Sequence, residues 1–154
     1  MVDVELGDFD LELEKEAQSM ERLAERLPIN LDIAARTGAE ILRQWLEDNT
    51  PQRTGLTSIS WVVIPLDIGE YVITNTNDPI ATFLSGGTAP HEIFGNPLHW
   101  VDFETGEDRF ATHVHHPGTA PLNLEERALQ ETEAEIDALW DAAIDAAERE
   151  SFVE

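Results

Sequence analysis

The chain has 154 residues, no cysteine, and 32 acidic against 9 basic residues, a formal charge of −23. That length allows one domain with a real core, and the missing cysteine excludes disulfides and thiolate-bound zinc. The charge argues against a grip on a nucleic-acid backbone, which needs clustered lysine or arginine.

Lys15 is the only lysine; the other cations are arginines. Such a charge opposes compaction in dilute buffer. In molar salt the Debye length shrinks to about 3 Å and the repulsion is screened. Acid-rich, lysine-poor chains of this kind resemble proteins of salt-in haloarchaea and their viruses; the alternative is an ordinary acidic protein. Met1 to Glu16 is acidic and holds no apolar signal-peptide core. The longest apolar run, Trp61 to Leu66, is too short to span a bilayer. The expectation is a soluble protein made inside the cell, with no membrane partner.

In chain order, residues 1–9 read as a frayed tail or an edge strand. Leu13, Ala17, Met20, Ala24 and Leu27 recur at helical spacing, and Pro28 is expected to end that helix. A second helix starts near Asn30 and stops at Asn49 and Pro51. Its stripe contains Leu31, Ala34, Ala35, Gly38, Ile41, Leu42 and Trp45, with Gly38 marking a close helix crossing or a contact with another element. A turn over 50–56 leads to a strand from Leu56 to Leu66 with Ile59, Trp61 and Val63 on one face. Asp67 to Gly69 turns it, and Glu70 to Thr76 returns as its hairpin partner. Pro79 to Leu84 fits a short helical turn. Pro97 to Phe103 and Arg109 to His115 read as a second hairpin. Asn123 with Glu126 has the form of a capping box for the last helix. Its apolar side runs Leu124, Ala128, Leu129, Thr132, Ile136, Leu139, Trp140, Ala143 and Ala147. The last residues, 150–154, read as a tail. This order predicts a single α+β domain over 1–154. In it, an antiparallel sheet of about four to five strands packs against two N-terminal helices and one long C-terminal helix.

The stretch from Ile80 to Leu124 organises the chain. Gly-Thr-Ala-Pro occurs twice, at Gly87–Pro90 and Gly118–Pro121, and brackets a short apolar hairpin. Glycine opens backbone angles closed to other residues and proline fixes φ, so the repeat predicts two built corners. All five histidines lie between His91 and His116.

Three blocks of residues carry a resemblance. They are Thr50-Pro51 with Thr54-Gly55-Leu56 and Ser58-Ile59; Ile80-Ala81 with Gly87-Thr88, Pro90-His91 and Ile93; and Phe110-Ala111 with Val114 to Thr119 and Ala128-Leu129. In this order the chain resembles the tail-completion, or putative tail-component, family of long-tailed phages, small neck proteins of the head–tail junction. The resemblance covers roughly residues 30–135 within the expected domain. Ile80 stands where the family usually has tyrosine, Ser85 near its usual glutamate, and Asn123-Leu124 where Pro-Phe is common.

The resemblance implies a structural virion protein without catalysis or cofactor. It implies a homo-oligomeric ring of six or twelve copies. The partners it implies are portal, adaptor or stopper proteins on one side and tail terminator or tail-tube proteins on the other. Viral DNA would pass through without sequence-specific binding. The expected location is the virion neck. Thr54, Gly55, Phe83, Gly86, Gly87, Thr88, Pro90, His91, His115, His116, Pro117, Gly118 and Thr119 are the expected interface or structural residues. The loop from Ala81 to Pro97 and the Gly118–Asn123 corner are the expected contact elements.

The alternative is a small metal-binding protein or metal-dependent hydrolase. His113, His115 and His116 lie together, and three histidines can hold zinc with an open position. No complete metal motif such as HExxH accompanies them. His115 and His116 are instead expected to bond backbone groups around Pro117-Gly118. Ser58, Ser60 and Ser85 lack a nucleophile-elbow context, and Gly86-Gly87 lacks the Lys-Ser/Thr of a phosphate loop. A third reading is an acidic decoy for a partner's DNA-binding groove. Trp45, Trp61 and Trp140 fit the core; Trp100 fits core or interface.

Overall fold

The computed structural model describes residues 6–52, 55–102 and 104–152. In chain order come helix α1 (Leu6–Asn49), a 3-10 turn (Ser58–Ser60), strands β1 (Trp61–Asp67) and β2 (Glu70–Asn75), helix α2 (Asp78–Gly86), strands β3 (His91–Val101) and β4 (Asp108–His116), and helix α3 (Leu124–Ser151). The class is α+β and the pairing is antiparallel. Among the described residues the strands form two separate two-stranded sheets, β1–β2 and β3–β4, and not one sheet of four or five.

A single helix replaces the expected N-terminal pair, with Pro28 inside it. Its partner explains this. α3 runs antiparallel beside α1 on both sides of the proline. Arg22 Nε donates to the Ser151 carbonyl (3.0 Å), and Asn30 Nδ2 donates to the Ala143 carbonyl (3.5 Å). An internal proline costs about 3 kcal/mol in a free helix. A continuous packed partner offsets that, and Pro28 sits on the exposed side. The helix also begins at Leu6, within the stretch expected to fray or form an edge strand.

The contact between α1 and α3 is made of small residues. Ala34, Ala39, Ala128, Thr132, Ala143 and Ala147 are buried there. At Gly38 an added side-chain carbon would meet Ile136 of α3 at 3.6 Å, an ordinary packing distance, so Gly38 marks a contact with another element and not a crossing that demands glycine. Leu13 and Met20, expected on the buried face, are exposed, and Ser19 is buried instead. α3 ends at Ser151, which is fully buried and donates its hydroxyl to the Ala147 carbonyl at 2.7 Å.

The core gathers Leu46, Trp61, Ala81, Leu124 and Ala128, with Leu42, Trp45, Ile73 and Leu122 packed around it. The inner face of β1–β2 carries Trp61, Val63, Ile73 and Tyr71 toward α1. Tyr71 donates to Asp32 (3.0 Å), and the Gly69 amide donates to the same oxygen (2.6 Å). Strand β1 starts at Trp61 and not at Leu56. Ile59 falls in the 3-10 turn and is exposed, off the face it was expected to share. Trp140 is half-buried. Trp100 is partly exposed on β3, away from the core.

Candidate functional site

The turn after α1 is held from within. The Thr50 hydroxyl donates to the Leu46 carbonyl (2.6 Å) and accepts the Trp61 indole N–H (2.9 Å). Asn75 Nδ2 donates to the Thr57 carbonyl, and Asn77 Nδ2 to its hydroxyl. Gly55 has φ +76, a left-handed angle that suits glycine. Its carbonyl accepts from the Ile59 amide and the Ser58 hydroxyl. Thr54 lies outside the described residues.

The two Gly-Thr-Ala-Pro corners meet. Thr88 and Thr119 form an isolated antiparallel bridge, each amide donating to the other's carbonyl at 3.0 Å. Gly87 and Gly118 flank it with φ of +72 and +86. A side chain on Gly87 would strike the Thr119 carbonyl and Pro121, and one on Gly118 would strike the Thr88 carbonyl and Pro90. The repeat is therefore one clasp, closed by two matched halves. Gly86, the last residue of α2, has open space around it.

The clasp is welded to the body through Ser85. The Leu122 amide donates to the Leu84 carbonyl, and the Asn123 amide to the Ser85 carbonyl. The Ser85 hydroxyl accepts the Leu124 amide at 3.1 Å and donates to Glu125. The start of α3 is thus capped from α2. The expected capping box is not formed. Asn123 sits at φ +49 and makes no side-chain cap bond, because the end of α2 already supplies the acceptor. Sequence reading dismissed Ser85 as a nucleophile and missed this role. The signal available was its place two residues before the Gly-Thr corner.

From the clasp β3 and β4 leave together as an arm. Among the described residues they pack on each other and on no other element beyond marginal contact. The expected loop from Ala81 to Pro97 is therefore the end of α2 followed by strand. β3 starts at His91 instead of Pro97 and is bulged between Phe94 and Leu98, where Asn96–Pro97 is cis. Strand alternation gives the arm two faces. One carries Glu92, Phe94, Trp100, Ala111, His113 and His115; the other carries His91, Ile93, His99, Val101, Phe110, Val114 and His116. Phe94 and Phe110 are 73% and 64% exposed. Phe83, on α2, is exposed too, as is Pro90.

The histidines are split between these faces. Glu92 takes His115 Nδ1 on one carboxylate oxygen (2.5 Å) and His113 Nε2 on the other. These contacts, His115 first, hold the Glu92 carboxyl below its ordinary range. His116 lies on the opposite face, stacked on His91 at 5.0 Å, and its Nδ1 accepts the Gly118 amide at 3.1 Å. The backbone bond expected of His116 is present, whereas His115 bonds a carboxylate. Phe94 stacks on His113 and Phe110 on His99, both at 4.7 Å. Among the described residues no group of three or more His, Cys, Asp or Glu is arranged to hold a metal ion. His113, His115 and His116 do not converge.

Among the described residues, no helix is long and apolar enough to cross a membrane. No family model matches this chain, and neither a curated protein nor a solved structure matches it.

Proposed function

We propose that this chain is a structural virion protein of the head–tail junction, forming a ring between the portal-connector complex and the tail tube. One observation carries the reading. The residues of the second and third resembling blocks, Gly87-Thr88 and Gly118-Thr119, close a single clasp that launches an arm which, among the described residues, packs on no other element beyond marginal contact. A two-stranded hairpin is marginal by itself in water, so an arm of this kind belongs against another chain. A ring is the assembly in which each copy both gives and receives such an arm. The copy number of six or twelve follows from the resemblance. Acidic helix faces turned toward a channel would repel DNA phosphates and let the genome slide without adhering.

Deletion of the gene tests this. DNA-filled heads with separate tails, or tails of faulty length, are the expected products. Normal infectious particles, or virions lacking the protein, would end the proposal.

A further inference from the structure

Two histidines close the root of the arm, and their hydrogen bonds fix where their ring hydrogens are. His91 and His116 are register partners, stacked at 5.0 Å and 27° on the face opposite Glu92. His91 Nδ1 lies 2.9 Å from the Ala89 carbonyl, which can only accept. Nδ1 therefore carries the hydrogen, and Nε2 is the basic nitrogen. His116 is the reverse. Its Nδ1 accepts the Gly118 amide at 3.1 Å, so Nε2 carries the hydrogen and Nδ1 is the basic nitrogen.

A proton therefore acts differently on the two rings. His91 takes it on Nε2 and keeps its bond to Ala89. His116 takes it on Nδ1, where the Gly118 amide already points. The new hydrogen and the amide hydrogen cannot share one lone pair, so charging His116 expels Gly118. Two charged rings would then also face each other across the stack. Gly118 leads straight into the clasp. It lies against the Thr88 carbonyl, and the next residue, Thr119, makes the bridge to Thr88.

The rest of the arm responds the other way. Glu92 holds His115 and His113, and these contacts strengthen when the imidazoles charge. At the outer end His99 makes the same kind of contact with Asp108, and Arg109 pairs with Asp102 and Glu107. The carboxylate of Glu92 also interacts with His91, more weakly than with His115 and His113. From the body, α2 and α3 meet the clasp through Leu84, Ser85, Leu122 and Asn123. They bring Glu125, held by the Ser85 hydroxyl, and Glu126 in the first turn of α3. Histidine changes charge between about pH 5 and pH 8, and all five histidines lie on β3 and β4.

We infer that the root of the arm is an acid-operated hinge: protonation of His116 releases Gly118 and opens the Thr88–Thr119 clasp, while Glu92 keeps β3 and β4 together. The arm then swings from the body as a unit. The hinge works within one chain and stands apart from the ring reading.

Amide hydrogen exchange in molar KCl tests this, each rate being divided by the intrinsic rate at that pH. From about pH 7.5 to about pH 5, protection at Thr88, Gly118 and Thr119 should fall about tenfold, the weight of one lost hydrogen bond. The β3–β4 ladder and the helices should stay protected. His116→Asn puts an oxygen acceptor in place of Nδ1 with no proton to gain, and should make clasp protection flat over this range. Replacing His113 and His115 by glutamine should leave the fall in place. Helical circular dichroism at both pH values separates hinge opening from lost folding. In the unaltered chain, ring-nitrogen NMR at neutral pH should find the hydrogen on Nε2 of His116 and on Nδ1 of His91. The opposite form at His116, flat clasp protection in the unaltered chain, or an undiminished fall in folded His116→Asn would overturn the inference. So would loss of the clasp and the ladder together.

Discussion

The helical layer and the β3–β4 arm solve opposite problems with the same chain. α1 and α3 bury small residues against each other and turn their carboxylates to water. The arm buries almost nothing of its own and keeps phenylalanine, tryptophan and valine in the open. The helices hold the fold; among the described residues the arm is held by its clasp and by its own ladder, with only marginal contact elsewhere. Stability is thus carried by the helical layer, and the arm's exposed residues can be changed with little cost to it.

Salt should separate the two regions most strongly. Nine cations cannot neutralise 32 acids, so most helix carboxylates face only one another and water. The unfolding temperature, followed by helical circular dichroism, should climb steeply from dilute buffer to molar KCl as the Debye length falls to about 3 Å. A flat profile would mean that the helix charges do not govern stability and would remove the halophilic reading.

Next in size is a contrast of two substitutions. Leu124→Ala empties a fully buried position between α2 and α3 and should cost about 2–5 kcal/mol in denaturant unfolding. Phe110→Ala on the arm should cost under about 0.5 kcal/mol in the isolated chain. Equal losses would show that the arm is part of the folding core.

The clasp sits between these extremes. Gly87 has φ +72 and ψ −179, a region essentially reserved for glycine, with the Thr119 carbonyl in the way of a side chain. Gly87→Ala should cost about 1–3 kcal/mol and loosen amide protection at Thr88 and Thr119. Unchanged exchange there would argue against a rigid launch point.

The smallest effect is at Glu92. Its carboxyl is held below the ordinary value by His115 first and by His113. A depressed folded value means stabilisation that is present above the unfolded pKa and lost as pH falls through the folded one. Carboxyl NMR should show Glu92 ionised below the ordinary glutamate range. Replacing His113 and His115 by glutamine should move the titration up, with at most a modest change in stability. No movement would mean the contacts do not persist in water.

Much of this was legible in the chain itself. Helical spacing located α3, Gly38 announced a contact with another element, and the repeated Gly-Thr-Ala-Pro announced two built corners. These signals are local: each depends on a residue's own backbone freedom or on neighbours within a turn. The same local rules misplaced Pro28 as a helix end and Asn123 as a cap. Those outcomes depend on what lies opposite in space.

Only the tertiary structure decided that α3 runs past Pro28, that Ser85 caps α3 from another helix, and that the two corners are halves of one clasp. It also divided the histidines between two faces, since a bulge and a hairpin register are set by pairing across strands. Composition by itself fixed the excess of carboxylates. The fold alone decided where they went, because packing α1 on α3 left their outer faces to the acids and left the arm, with no helix over it, to the apolar residues.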